Sequence, residues 1–124
     1  MVSEFSEMVL NNFRHPHYVG ELSVAPNVYR VFVEIASGDK VQLDVAIHNA
    51  IITDVRYQVY GCPAMIACMS WLATELMNKP CALAEQITAQ EISLTLALPA
   101  RKFRCALLAE TAMQEIMQQY RSTL

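Results

Sequence analysis

A chain of 124 residues is sized for one domain, residues 1–124, and needs no disulfide or metal to hold a core. With 54% hydrophobic and 17% charged residues it is too apolar to be disordered. A net charge of −3, and no basic run beyond the group Arg101, Lys102 and Arg104, argues against nucleic acid as a partner.

In chain order, Phe5, Met8, Val9, Asn12 and Phe13 recur at helical spacing, which predicts a helix over 3–13. It should end at His15, because Pro16 disfavours helical geometry in the residue before it. His15 to Gly20 then reads as a loop. Three alternating runs follow. Tyr29, Val31, Val33 and Ile35 form the first. Val41, Leu43, Val45 and Ile47 form the second, with Gln42, Asp44 and His48 between them. Ile51, Thr53, Val55, Tyr57 and Val59 form the third. Such runs, joined by the short breaks Ser37-Gly38-Asp39 and His48-Asn49-Ala50, predict an antiparallel meander with one buried face.

After Gly61 the period lengthens. Met65, Met69, Leu72 and Leu76, widened by Ile66, Ala73 and Met77, mark a helix that Asn78-Lys79-Pro80 ends. A short helical piece is expected around 83–87. Thr88-Ala89-Gln90-Glu91 has capping-box spacing and starts another, broken by Leu98-Pro99-Ala100. From Arg101 onward Cys105, Leu108, Ala109, Ala112, Met113, Ile116 and Tyr120 share one face of a last helix. Strands first and helices after predict an α+β fold, a three-stranded antiparallel sheet with helices packed on one face.

No apolar run reaches the length of a membrane span. The opening Met1 to Glu7 carries acids where a targeting signal would carry bases, so a cytoplasmic setting is expected. There the four cysteines, Cys62, Cys68, Cys81 and Cys105, read as thiols or metal ligands rather than disulfides. Cys62 and Cys105 each fall near a helix N-terminus, where the macrodipole and free amides favour the thiolate, and Arg104 adds positive charge beside Cys105. On composition alone a buried structural cysteine is the commoner outcome. The same holds for Cys68, flanking the apolar stripe, while Cys81 reads as a surface or half-buried thiol. His15, His17 and His48 have no cysteine or acid at ligand spacing within their own elements and read as surface histidines.

Several strings carry a family likeness. Tyr60-Gly61-Cys62 opens a small-residue helix. Lys102-Phe103-Arg104-Cys105-Ala106-Leu107-Leu108-Ala109-Glu110 parallels K-x-H-C-S-x-L-A-E. Ser37-Gly38-Asp39 stands where C-G-D would stand. Asn12 to Gly20 matches H-F-x-N-P-R-N-V-G in part, and Leu98 to Lys102 sits where L-P-P-V-K would sit. Their order and separations resemble the IscU / NifU N-terminal family of iron–sulfur cluster assembly scaffolds.

That resemblance implies a scaffold rather than an enzyme. Such a scaffold takes sulfur from a cysteine desulfurase, builds a two-iron, two-sulfide cluster and passes it on, helped by a DnaK-type chaperone and its J-protein. It implies Asp39, Cys62 and Cys105 as ligands of iron or the cluster, with zinc as an alternative metal, and Cys105 as persulfide acceptor. Two positions depart from the family. Ser37, a weak ligand, replaces a cysteine, and Arg104, which stays protonated and cannot ligate, replaces a histidine. The set is therefore incomplete, to be closed by Ser37, by a second chain in a homodimer, or by an outside thiol. Ala100 and Arg101 likewise alter the chaperone segment. The competing function is a sulfur-accepting or docking partner of the desulfurase that builds no cluster itself.

Overall fold

The computed structural model describes residues 4–124; Met1 to Ser3, where the first helix was expected to begin, lie outside the described residues. The elements are α1 (Glu7–Arg14), β1 (Val28–Glu34), β2 (Lys40–His48), β3 (Ile51–Tyr60), α2 (Pro63–Leu76), α3 (Cys81–Ala84), α4 (Ala89–Thr95) and α5 (Phe103–Ser122). A 3-10 turn at Ala100–Lys102 leads into α5. The strands form one antiparallel sheet in the order β1-β2-β3. On one face α2 lies against β3 and α5 against β1 and β2, while α1 packs on α2 and α4 on α5. This is the α+β arrangement that the three period-two runs and the later helical periods predict.

Local chemistry sets the boundaries. The first helix begins later than its apolar spacing suggests. Ser6 caps it, its Oγ accepting from the Val9 amide at 3.2 Å while donating to the Leu96 carbonyl at 2.6 Å. Of its expected apolar face only Val9 is buried; Met8 and Phe13 are exposed. The helix rides on α2, where Ser70 Oγ donates to Asn12 Oδ1 at 2.8 Å. Thr88 caps α4 as its spacing requires, accepting from the Glu91 amide at 3.1 Å.

Val41, Leu43, Val45 and Ile47 all point into the core. In β3 the expected alternation holds from Val55 onward but fails before it. Ile52 is buried and Ile51 exposed, because the register shifts between Ala46 and Ile47 and leaves Thr53 as an extra residue. That β-bulge inverts which side chains face inward, a feature without a period-two signature. The β2–β3 turn places Asn49 and Ala50 at φ of 50° and 62°, the primed turn whose twist suits a tight hairpin.

α2 is the central helix, buried around nearly its whole circumference, Cys68 and Ser70 included. Past its end the chain returns to the start of β3. There the Asn78 amide donates to the Ile52 carbonyl, the Ile52 amide to Lys79 and the Cys81 amide to Ala50, each at 2.9 Å. This return buries Cys81, which corrects its reading as a surface or half-buried thiol. It also starts α3 earlier than the expected 83–87.

The outer sheet face holds a second correction. Asp44, which alternation assigns to the outer side, is fully buried there, beneath Arg30 and the Leu22 amide.

Candidate metal centre

The candidate site forms where two connections meet at one end of the sheet. The pairing Glu34–Lys40–Tyr60 sets the β1–β2 turn beside the β3–α2 junction. The turn closes through the Gly38 amide on the Ile35 carbonyl at 2.8 Å and the Ile35 amide on the Asp39 carbonyl at 3.1 Å. Gly38 adopts a φ of 93°, which a side chain would strain. Asp39 is thereby fixed at the mouth of β2.

Gly61 serves a different need. A Cβ there would lie 3.0 Å from Asp39 Oδ1 and 3.2 Å from Met65 Cβ, so glycine makes room for the carboxylate. Cys62 is the N-cap of α2, with Pro63 at the first helical position. Cys105 lies in the first turn of α5, brought in by the 3-10 turn that the Lys102 amide closes on the Pro99 carbonyl at 2.8 Å.

One ligand atom from each of Asp39, Cys62 and Cys105 lies within 4.8 Å of the other two. The two Sγ atoms are 3.8 Å apart. Asp39 is 8% exposed, Cys105 is fully buried, and Cys62 is half-buried. Arg104 Nη1 donates to Asp39 Oδ2 at 2.5 Å and stands 3.7 Å from Cys105 Sγ. A cation therefore already sits against the cluster, supplied by the residue in the resemblance's histidine position.

The two thiols are not equivalent. Burial opposes ionisation of Cys62, but the Met65 amide, the Cys105 thiol and the Lys102 ammonium outweigh it and hold Cys62 below its ordinary value. Burial, then the negative charge on Cys62, push Cys105 up to about 12 despite Arg104. The expectation that a helix start, with Arg104 beside Cys105, would favour the thiolate at both positions is thus corrected for Cys105. Desolvation outweighs the dipole there, and one thiolate disfavours a second.

Ser37 sits exposed in its turn, beside a shallow apolar hollow shared with Arg104 and Leu107. Cys68 is buried in the core, its thiol pushed up by desolvation and by the neighbouring Cys105 and Cys62, and it is not part of the three-ligand group. His15, His17 and His48 are exposed. In the segment from Leu98, Arg101 is held by Glu4.

Sequence reasoning missed Lys102 as a neighbour of Cys62 and Gly61 as the space for Asp39. Residue order alone signals neither, because both act across the turn between distant segments. Glu110, the end of the cysteine string, has a structural task, its Oε2 accepting from the Ala89 amide at 2.8 Å.

Two thiols and a carboxylate from three separate junctions give this small α+β protein a group of side chains placed to hold a metal ion. Soft sulfur donors of this kind suit iron–sulfur species or zinc. The NifU-like N terminal domain family matches residues 4–124, and the chain belongs to that family.

It is 35% identical over 121 residues to the iron–sulfur cluster assembly scaffold protein IscU of Azotobacter vinelandii, covering 94% of each chain. It is 32% identical over 123 residues to the iron–sulfur cluster assembly protein IscU of Plasmodium falciparum, covering 98% of this chain and 76% of that one. The fold is shared with the N-terminal part of a NifU-like protein from Brucella abortus, at a TM-score of 0.77 and 14% identity, covering 96% of this chain and 95% of that one. The family read from the cysteine strings is the family found.

Proposed function

We propose that this protein is an iron–sulfur cluster assembly scaffold that holds iron, or a two-iron, two-sulfide cluster, as cargo through Asp39, Cys62 and Cys105. The observation that carries this reading is the convergence of those ligand atoms within 4.8 Å. It is supported by relatives named as cluster assembly scaffolds. On this reading the protein binds and hands over its cargo and does not turn over a substrate. A cysteine desulfurase supplies sulfur, with Cys105 as the acceptor carried over from the resemblance. The fourth donor comes from Ser37, from a second copy of the chain, or from an outside thiol, and zinc competes for the same thiolates. A DnaK-type chaperone and its J-protein would assist transfer through the altered segment at Leu98 to Lys102. No helix among the described residues is long and apolar enough to cross a membrane; we place the protein in the cytoplasm.

A second reading has its own observation. The Arg104 guanidinium on Asp39 supplies positive charge where a metal would otherwise supply it. It favours a sulfur-accepting or docking partner of the desulfurase that builds no cluster.

Protein purified without oxygen and reconstituted with desulfurase, cysteine and ferrous iron separates the two. Matched iron and acid-labile sulfide per chain are expected. Protein that retains neither would leave the sulfur-accepting partner as the account.

A further inference from the structure

The spacing of the two thiols allows chemistry between them as well as shared binding of a metal. Their sulfurs are 3.8 Å apart, and a disulfide needs about 2.05 Å. Cys62 is half-buried and reachable, whereas Cys105 is fully enclosed with Arg104 Nη1 at 3.7 Å from its sulfur. Cys68 lies outside the cluster in the core, so the pair has no third thiol competing within the three-ligand group. The family's additional cysteine position is Ser37, which leaves these two sulfurs as the group's only thiols.

We propose that Cys62 and Cys105 form an internal dithiol that discharges a bound sulfane sulfur as sulfide, ending as a Cys62–Cys105 disulfide. The inference rests on the sulfur-handling part of the proposed function and names the electron source for it. A persulfide on either cysteine presents its inner sulfur to the other. That thiol attacks the inner sulfur, so a new Sγ–Sγ bond forms and the persulfide S–S bond breaks. The terminal sulfur leaves with the bonding pair as hydrosulfide, and the attacking thiol's proton completes hydrogen sulfide. Across loading and discharge together, one sulfane sulfur gains two electrons and each cysteine sulfur loses one. A further round needs an external dithiol to reopen the disulfide; a single round needs none.

The test is a single turnover on metal-free protein under anaerobic conditions, with inorganic polysulfide as the sulfane donor. Released sulfide is measured, the thiols are then alkylated, and the disulfide is mapped by mass spectrometry. Loading from polysulfide itself frees sulfide from the donor, so the count is the excess over Cys105→Ser, which loads without discharging. About one extra sulfide per chain is expected, with a Cys62–Cys105 disulfide, the stoichiometry of thiol–disulfide exchange. Cys105→Ser should stop at a persulfide on Cys62, and Cys68→Ser should behave as the unaltered chain. A persulfide that persists on the unaltered chain would overturn the inference, and so would a disulfide through Cys68 or Cys81. Undiminished sulfide release from Cys105→Ser would do the same. The map is read on unaltered protein, so it stands even if a variant fails to fold. Sulfide release without iron retention in the reconstitution would sink the scaffold reading alone. Matched iron and sulfide on a chain whose persulfide persists would sink this step alone.

Discussion

Asp39 and Asp44 lie at the mouth and in the middle of β2, each paired with an arginine, yet their surroundings differ in kind. Asp44 is fully buried and saturated. Arg30 Nε reaches its Oδ1 at 2.7 Å and Arg30 Nη2 its Oδ2 at 2.7 Å, while the Leu22 amide adds 2.9 Å and Gln42 Nε2 adds 3.2 Å. Among the described residues Asp39 takes a side-chain hydrogen bond from Arg104 alone, beside two thiols and with a side chain still 11% exposed. A carboxylate whose lone pairs are all taken is a structural tie between sheet and loop. One that keeps lone pairs beside soft sulfur donors is available to a cation. The same two residue types thus hold the fold in one place and leave a site open in the other.

Removing each carboxylate tests the contrast. Asp44→Ala strands the half-buried Leu22 amide and the Arg30 cation. It is expected to cost about 3 kcal/mol, read as a lower urea midpoint at unchanged slope, with metal retention intact in the folded fraction. Burial alone would raise the Asp44 carboxyl. Arg30, the Leu22 amide and Gln42 outweigh it and hold the group below its ordinary value of 3.8. Its contribution is therefore whole above 3.8 and lost as pH falls through the lowered native value. Urea midpoints of the unaltered chain should converge toward those of Asp44→Ala below that pH; a constant gap would contradict the assignment.

Gly61→Ala pushes a Cβ against Asp39 and Met65. It should cost about 1–2 kcal/mol and weaken metal retention together, read by urea titration and metal analysis. Asp39→Ala should cost under about 1 kcal/mol, because its ion pair is partly exposed, yet abolish retention of iron or zinc. Arg104→Ala should move stability least and raise metal retention by freeing Asp39. Ser37→Cys with Arg104→His should strengthen cluster retention, and unchanged labile sulfide after reconstitution would count against the ligand set.

Much of this was legible in the residues. Val41, Leu43, Val45 and Ile47 gave the central strand because alternation survives wherever pairing is regular. Cys105 to Tyr120 gave the last helix by its stripe, and Thr88 gave a cap. The cysteine strings gave the family, and with it Asp39, Cys62 and Cys105 as one cluster. What escaped depends on contacts between distant segments. The Thr53 bulge is a property of two strands together. Asp44 looks like an outward polar residue until the loop at Leu22 covers it. Cys81 is buried because the chain after α2 returns to β3. The unequal ionisation of Cys62 and Cys105 follows from their mutual distance and from Lys102, which no local pattern supplies.

The central claim is that Asp39, Cys62 and Cys105, and not Cys68, bind metal. Anaerobic titration with cobalt(II) tests it most directly, because thiolate-to-cobalt charge-transfer absorption reports the thiolates bound. The account predicts two thiolates in the unaltered chain, one after Cys62→Ser or Cys105→Ser, and no change after Cys68→Ser. Undiminished absorption in Cys62→Ser and Cys105→Ser, or its loss in Cys68→Ser, would contradict it.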